Sequence, residues 1–308
     1  MVKRYLDCKA SDLAKISKAD LLQALHASEG RILVSETIGA VQPMLMTITN
    51  AEFAASQGAD ILLLNLFDVN APCINGLPAG VTGDDTVKEI KRLTGRVVGI
   101  NLEPVDPGFG ESQDQLWGMT NGRLASVANA QKALALGVQM LVLTGNPGNG
   151  ISNSAICASL QQISAAVGNE LVLVAGKMHA AGILGEAASK IITQEDIQQF
   201  VLAGADIILL PAPGTVPGVT LEFVRGMVEY AHSLGVMTMT AIGTSQEGAD
   251  EATIRQIALM CKMTGTDLHH IGDAGYVGMA LPENIFAYSV AIRGKRHTYT
   301  RIASSVNR

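Results

Sequence analysis

One cycle constrains this chain more than any other feature. A helix-like segment, a glycine and a short aliphatic run follow one another eight times. The glycines are Gly30, Gly58, Gly95, Gly137, Gly168, Gly204, Gly235 and Gly265, spaced 28 to 42 residues apart. The runs after them read RILVSE, ADILLLN, RVVGINLE, VQMLVLTG, NELVLVAGK, ADIILLP, VMTMTAIG and TDLHHIG. Glycine suits the position just past a helix end, where φ is often positive. Each run is too continuously apolar for a half-exposed strand and suits a sheet buried on both faces.

The segments between the runs are amphipathic. In TLEFVRGMVEYAHSLG (220–235), Leu221, Val224, Val228 and Ala231 share one stripe, and 121–137 and 192–205 behave alike. Thr193 reads as an N-cap ahead of an acidic first turn. Alternating strands and helices make right-handed βαβ units and a parallel sheet. Eight units predict a single (β/α)8 TIM barrel over residues 31–290. An N-terminal helical extension (1–30, with a helix over 11–28) would close the barrel bottom, and 291–308 would be a short basic tail. The rival open sheet lacks support, because no G-x-G-x-x-G opens a helix after an early strand.

Composition excludes several classes of function. Hydrophobic residues make up 48% of the chain and aromatics 4%, so the core is large and aliphatic. The net charge of −6, with no basic block in the barrel, argues against a nucleic-acid partner. Arg293-Gly-Lys-Arg-His297 reads as a helix end with a solvated or subunit-contacting tail. Four scattered cysteines without a C-x-x-C pair read as reduced thiols of a cytoplasmic protein. Neither a signal-like apolar stretch nor a membrane-spanning run occurs, so no membrane partner is expected. Assembly as a homo-oligomer is expected.

Active sites of such barrels lie at the C-terminal ends of the strands. The polar residues that break each run at its far end are therefore the candidates. They are Glu36; Asn65 and Asp68; Asn101, Glu103 and Asp106; Thr144 and Asn146; Lys177 and His179; Pro211; Thr244 and Ser245; and His269, His270 and Asp273. An ammonium directly after an apolar run is expensive to bury without a partner, which singles out Lys177. Lys177, Glu36, His179 and Glu103 are the expected catalytic groups, and Asn65, Asp68, Asn101, Asn146, His270 and Asp273 the expected substrate contacts. Asp68, Asp106 and Ser245 also suit turn or helix caps. His269 and His270 are adjacent, so one should face the lumen and the other the helices. His232 reads as an ordinary helix residue. The Gly-rich loops 241–250 and 270–278 suggest a phosphate cradle of Gly243, Thr244, Ser245, Gly272 and Gly275. Loops 143–150 and 211–218 would shape the pocket wall, and 70–85 would be a lid.

At these strand ends the sequence resembles the BtpA family of (β/α)8 proteins, with its SgcQ-like members. LNLFDVNAP (64–72) is similar to that family's E-N-F-G-D-A-P and VVGINLEPVD (97–106) to its P-V-G-V-N-V-L-x-N-D. AGKMHAAG (175–182) resembles V-K-H-A, and ADIILLPAPGTVPG (205–218) resembles A-D-x-x-I-V-T-G-x-x-T-G. Leu64 stands where the family has Glu, Met178 separates Lys177 from His179, and strand 4 lacks H-T-G. The resemblance implies the fold and the corner that holds the site, for a distant relative or sister family. VDPGFG and GDD give a weaker similarity to phosphoenolpyruvate mutase/isocitrate lyase barrels, without their K-K-C-G-H.

Three chemistries use these residues. In the first, an enzyme of lyase, aldolase or isomerase type acts on a small phosphorylated metabolite of the sugar-phosphate class. Lys177 would form an imine or stabilise an enolate, with Glu36 or His179 as its acid/base partner. In the second, Glu36, Asp68 and Glu103, with His179, hold a divalent metal for hydrolysis or lyase chemistry; Mg²⁺ or Mn²⁺ suits the oxygen donors. No cofactor is required by the first. The third is a metabolite-binding barrel that acts through a partner.

Overall fold

A computed structural model describes residues 3–106, 119–145, 150–179 and 190–308. Eight parallel strands close into a barrel in sequence order: β1 (Ile32–Ile38), β2 (Ile61–Asn65), β3 (Val97–Leu102), β4 (Met140–Leu143), β5 (Val172–Gly176), β6 (Ile207–Pro211), β7 (Met237–Ile242) and β8 (Leu268–Ile271). Each starts in one of the eight runs, and β1 outlasts its own by Thr37 and Ile38. The outer layer holds α3 (Asn50–Ser56), α4 (Thr86–Thr94), α5 (Val127–Leu136), α6 (Asn153–Val167), α7 (Gln194–Leu202), α8 (Leu221–Ser233), α9 (Glu251–Thr264) and α10 (Pro282–Ala303). Seven of the eight cycle glycines have positive φ; Gly168 ends α6 in the right-handed region. Thr193 caps α7 as expected, accepting from Asp196 N and held by a reciprocal bond.

Strand alternation divides the core in two. Ile32, Val34, Ile61, Leu63, Met140, Val142, Val172 and Val174 fill the lumen, while Leu33, Leu62, Leu141, Leu173 and Ala175 pack under the helices. The expected N-terminal helix is two short ones, α1 (Ala10–Leu13) and α2 (Lys18–His26), because Ser17 caps the second with its hydroxyl. Leu13, Leu21 and Leu25 join the lumen cluster from below, so this segment closes the barrel bottom.

Three aspartates at strand starts build that bottom, a device the sequence reading passed over. Asp60, Asp206 and Asp267 each follow a cycle glycine by two residues. Their carboxylates accept the backbone N–H of the preceding strand, from Leu33 (2.9 Å), Leu173 (2.7 Å) and Thr238 (2.8 Å). Each also holds a basic side chain. Lys18 pairs with Asp206 at 2.7 Å, and His232 Nε2 lies 2.8 Å from Asp267. Asp60 takes both Arg293 and Arg301. The basic C-terminal stretch is therefore not a solvated tail at these positions. It continues as α10, kinked at Gly294, and buries Arg293 and Arg301.

Gly176 ends β5 with φ 151°, and a Cβ there would sit 2.0 Å from Leu209 O of the neighbouring strand. Both the backbone conformation and the contact require glycine. Gly176→Ala should cost about 2 kcal/mol, read as a lowered midpoint in urea unfolding. The four cysteines are free. Among the described residues, no helix is long and apolar enough to cross a membrane.

Candidate active site

Beyond the aliphatic layers, lumen-facing positions turn polar and enclose a cavity of about 450 Å³. Glu36 continues the Ile32–Val34 set of β1, Asn65 the Ile61–Leu63 set of β2, and Asn101 and Glu103 the Val97–Gly99 set of β3. Thr144, Met178 and Gly243 continue β4, β5 and β7 in the same parity. The chain thus delivers polar side chains to the mouth by carrying period-two alternation one or two residues past each apolar run.

Glu36 is 3% exposed, and its Oε2 lies 3.4 Å from Nε2 of the fully buried His270. His270 faces the lumen. His269 faces outward, within hydrogen-bonding distance of Gly30 O (2.9 Å) and Tyr288 Oη (3.2 Å), where burial pushes it down to about 4. This is the expected division of the pair. Asp273 accepts from Asn65 Nδ2 at 2.9 Å, and Asn101 Nδ2 donates to Asn65 Oδ1 at 3.3 Å, so two amides and a carboxyl form one chain.

Two residues of the cavity wall escaped the sequence reading. Glu247 sits on a 3-10 turn (Gln246–Gly248) after β7 and is 1% exposed. Asn284 Nδ2 fixes that turn by donating to Glu247 O (2.8 Å) and Ala249 O (2.7 Å). Taking the first polar residues after each run stopped at Thr244 and Ser245, three and two positions short of it. Arg123 is the other. Residues 121–123 peel off the expected 121–137 helix as a 3-10 turn, because Ser126 caps α5 with its hydroxyl. Leu124 bridges to Glu103, and the Arg123 guanidinium pairs with the Glu103 carboxylate. Nothing in NGRL announces that contact.

The carboxyl groups are unequal. Burial pushes Glu247 up to about 7, with Glu36 adding and His270 opposing. Burial first and Glu36 second raise Asp273 to about 7, against the Asn65 hydrogen bond. Burial also raises Glu103, with Arg123 opposing. His179 is lowered by burial, with Glu36 opposing and Lys177 adding to the shift. Two carboxyl groups half-protonated near neutrality thus flank Glu36. Asn101 Oδ1, Thr144 Oγ1 and Glu247 Oε2 are buried on this wall without a hydrogen-bond partner among the described residues.

Not every expected residue arrives. Lys177 is completely buried, and the wall is lined by its neighbours Met178 and His179. Lys177 follows Gly176, where β5 ends, and its charge acts on His179. Asp68 is a cap: its Oδ1 accepts from Asn70 N (2.7 Å) and Ala71 N (3.1 Å). Asp106 Oδ1 accepts from Ser152 Oγ at 3.0 Å. Asn146 lies outside the described residues. Of the expected phosphate cradle, Gly243 alone lines the cavity. Thr244 Oγ1 donates to Thr215 O (2.9 Å) and Gly272 N to Ile242 O (3.0 Å). Gly272 matters for space, since a Cβ there would lie 2.2 Å from Glu247 Oε1. Loop 70–85 does not line the cavity; Asn75 ties it to Gly39 and Ala40.

The donor set fits a divalent metal poorly. Asp68 is turned into its own loop and Glu103 is taken by Arg123. Among the described residues no three His, Cys, Asp or Glu side chains converge to hold an ion.

No curated protein matches the chain. Among solved structures it is similar to an archaeal fructose-1,6-bisphosphate aldolase whose catalytic lysine carries the carbinolamine intermediate, at 13% identity and TM-score 0.57, over 90% of this chain and 99% of that one. It is also similar to a putative lyase/mutase from Burkholderia cenocepacia (17%, TM-score 0.52, 86% and 83%). A third is 2,3-dimethylmalate lyase, of the PEP mutase/isocitrate lyase superfamily (12%, TM-score 0.50, 86% and 81%). At such identities these likenesses establish the fold, and the neighbours are enzymes. A family model matches residues 6–308, so the chain belongs to the family described as Domain of unknown function (DUF7916).

Proposed function

We propose that the chain is an enzyme of lyase or isomerase type that moves a proton on a small phosphorylated metabolite of the sugar-phosphate class. The observation that carries the reading is the cavity in which Glu247 and Asp273, both near 7, flank Glu36 and His270. Carboxyl groups whose proton affinity burial raises toward neutrality are what general acid catalysis at neutral pH requires. Glu36 takes the role of base, Glu247 or Asp273 that of acid, and Asn65 and Asn101 orient the substrate's hydroxyl groups. Two carboxyl groups occupy the β7–β8 corner, so the substrate's phosphate belongs on the opposite wall, with Arg123 and His179. The aldolase and lyase titles among the structural neighbours agree with this class.

The test is incubation with a panel of phosphorylated aldoses and ketoses in deuterium oxide, followed by proton NMR. Exchange of a C–H next to the carbonyl, or cleavage of the chain, is expected with at least one member and not with Glu36→Gln. An unchanged panel would overturn the proposal. Borohydride added to an active mixture decides the imine variant, which needs an adduct at Lys177.

A further inference from the structure

A second cavity, of about 420 Å³, opens at the opposite end of the molecule, between α1, the end of α4 and residues 306–308. Its charged side chains are all of one sign: Lys88, Lys91, Arg92, Arg96 and Arg308. Lys88 pairs with Asp85 and Arg92 with Glu89, both outside the lining. Lys91 and Arg96 have no carboxylate within 4 Å among the described residues. The Lys91 ammonium donates to Gly137 O (3.0 Å), which closes the end of α5.

Arg96 is the decisive residue. It is 7% exposed, and its Nε and one Nη donate to backbone carbonyls, of Ala59 (3.0 Å) and Arg301 (3.0 Å). The other Nη has no acceptor among the described residues, and Arg96 lines the cavity. Behind it stand Arg293 and Arg301, which share the single carboxylate of Asp60. Two of these three buried guanidinium groups thus take up the one carboxylate, and burial and neighbouring charge push Arg96 down to about 10, still a cation at neutral pH. Unbalanced buried charge is costly, and a second anion is what would offset it. Ala10, Ala14, Gly95 and Val306 make the rest of the wall apolar.

We propose that this cleft is a binding site for a multivalent organic phosphate, with its anionic groups at Arg96 and Lys91 and its less polar part against Ala10 and Val306. The site is remote from the barrel mouth and does not depend on the reaction proposed there. The experiment is equilibrium binding, by calorimetry at low salt, of inorganic pyrophosphate and of ADP to the full chain. Saturable binding of both is expected, tighter for ADP. Lys91→Gln should weaken it at least ten-fold and Glu247→Gln should leave it unchanged. Lys88→Gln, at an exposed position, supplies a second arm if Lys91→Gln fails to fold. Absence of binding, or binding lost in Glu247→Gln and kept in the lysine variants, would overturn the assignment. Pyrophosphate bound as tightly as ADP would remove its apolar half.

Discussion

Replacing Asp60 with asparagine should cost about 3–5 kcal/mol or prevent folding altogether, measured as the loss of unfolding free energy in urea. Asp60 is fully buried, accepts the backbone N–H of Leu33 and holds Arg293 and Arg301. Asparagine keeps the shape and one acceptor. It removes the one carboxylate among three buried arginines and turns an N–H₂ toward donors that have nowhere to relax. Breaking one side of a buried ion pair is far more damaging than replacing the whole pair with apolar groups. Asp206 and Asp267 repeat the motif with one basic side chain each, and their partners are part-exposed. Asparagine there should cost less, and a scan in which the three sites were equivalent would contradict the role given to the arginine cluster.

Glu247→Gln should lower the turnover of whatever substrate the panel identifies by 10²–10⁴-fold, the usual contribution of a positioned proton donor. The same change should alter the pH dependence of stability. Glu247 has a folded value of about 7 against an ordinary 4.5, so the folded chain binds that proton more tightly than the unfolded chain does. Stability from this group is then untouched below about pH 4.5, falls as pH rises toward 7 and reaches its full penalty above 7. The penalty is on the order of 3 kcal/mol, at 1.4 kcal/mol for each unit of displacement. Glutamine cannot ionise, so the variant should lose less stability than the parent between pH 4.5 and 8 while losing activity. Gain of stability with loss of turnover marks a strained site, whereas a supporting residue loses both.

Much of this was legible before any coordinates. The eight glycine-led runs locate all eight strands, and Thr193 announces its own helix. The mouth residues were legible through alternation, which assigned one of His269 and His270 to the lumen. The same rule applied past β5 finds Met178, in step with Val172 and Val174. It does not place Lys177, because Gly176 ends the strand with a positive φ. Glu247 and Arg123 were illegible for a different reason. Both sit on short 3-10 turns whose direction is set by distant partners, Asn284 for one and Glu103 for the other. The Asp60 cluster joins β2 to a helix more than 230 residues later, a pairing that no local pattern encodes.

Burial at the barrel mouth lets Glu247 and Asp273 keep their protons to near neutral pH. Carbon-13 NMR of chain labelled at the carboxyl carbons of Glu and Asp, titrated from pH 4 to 9, measures it directly. Two resonances with midpoints near 7 are expected, one absent in Glu247→Gln and the other in Asp273→Asn. Titration of every carboxyl group below about pH 5 would contradict it.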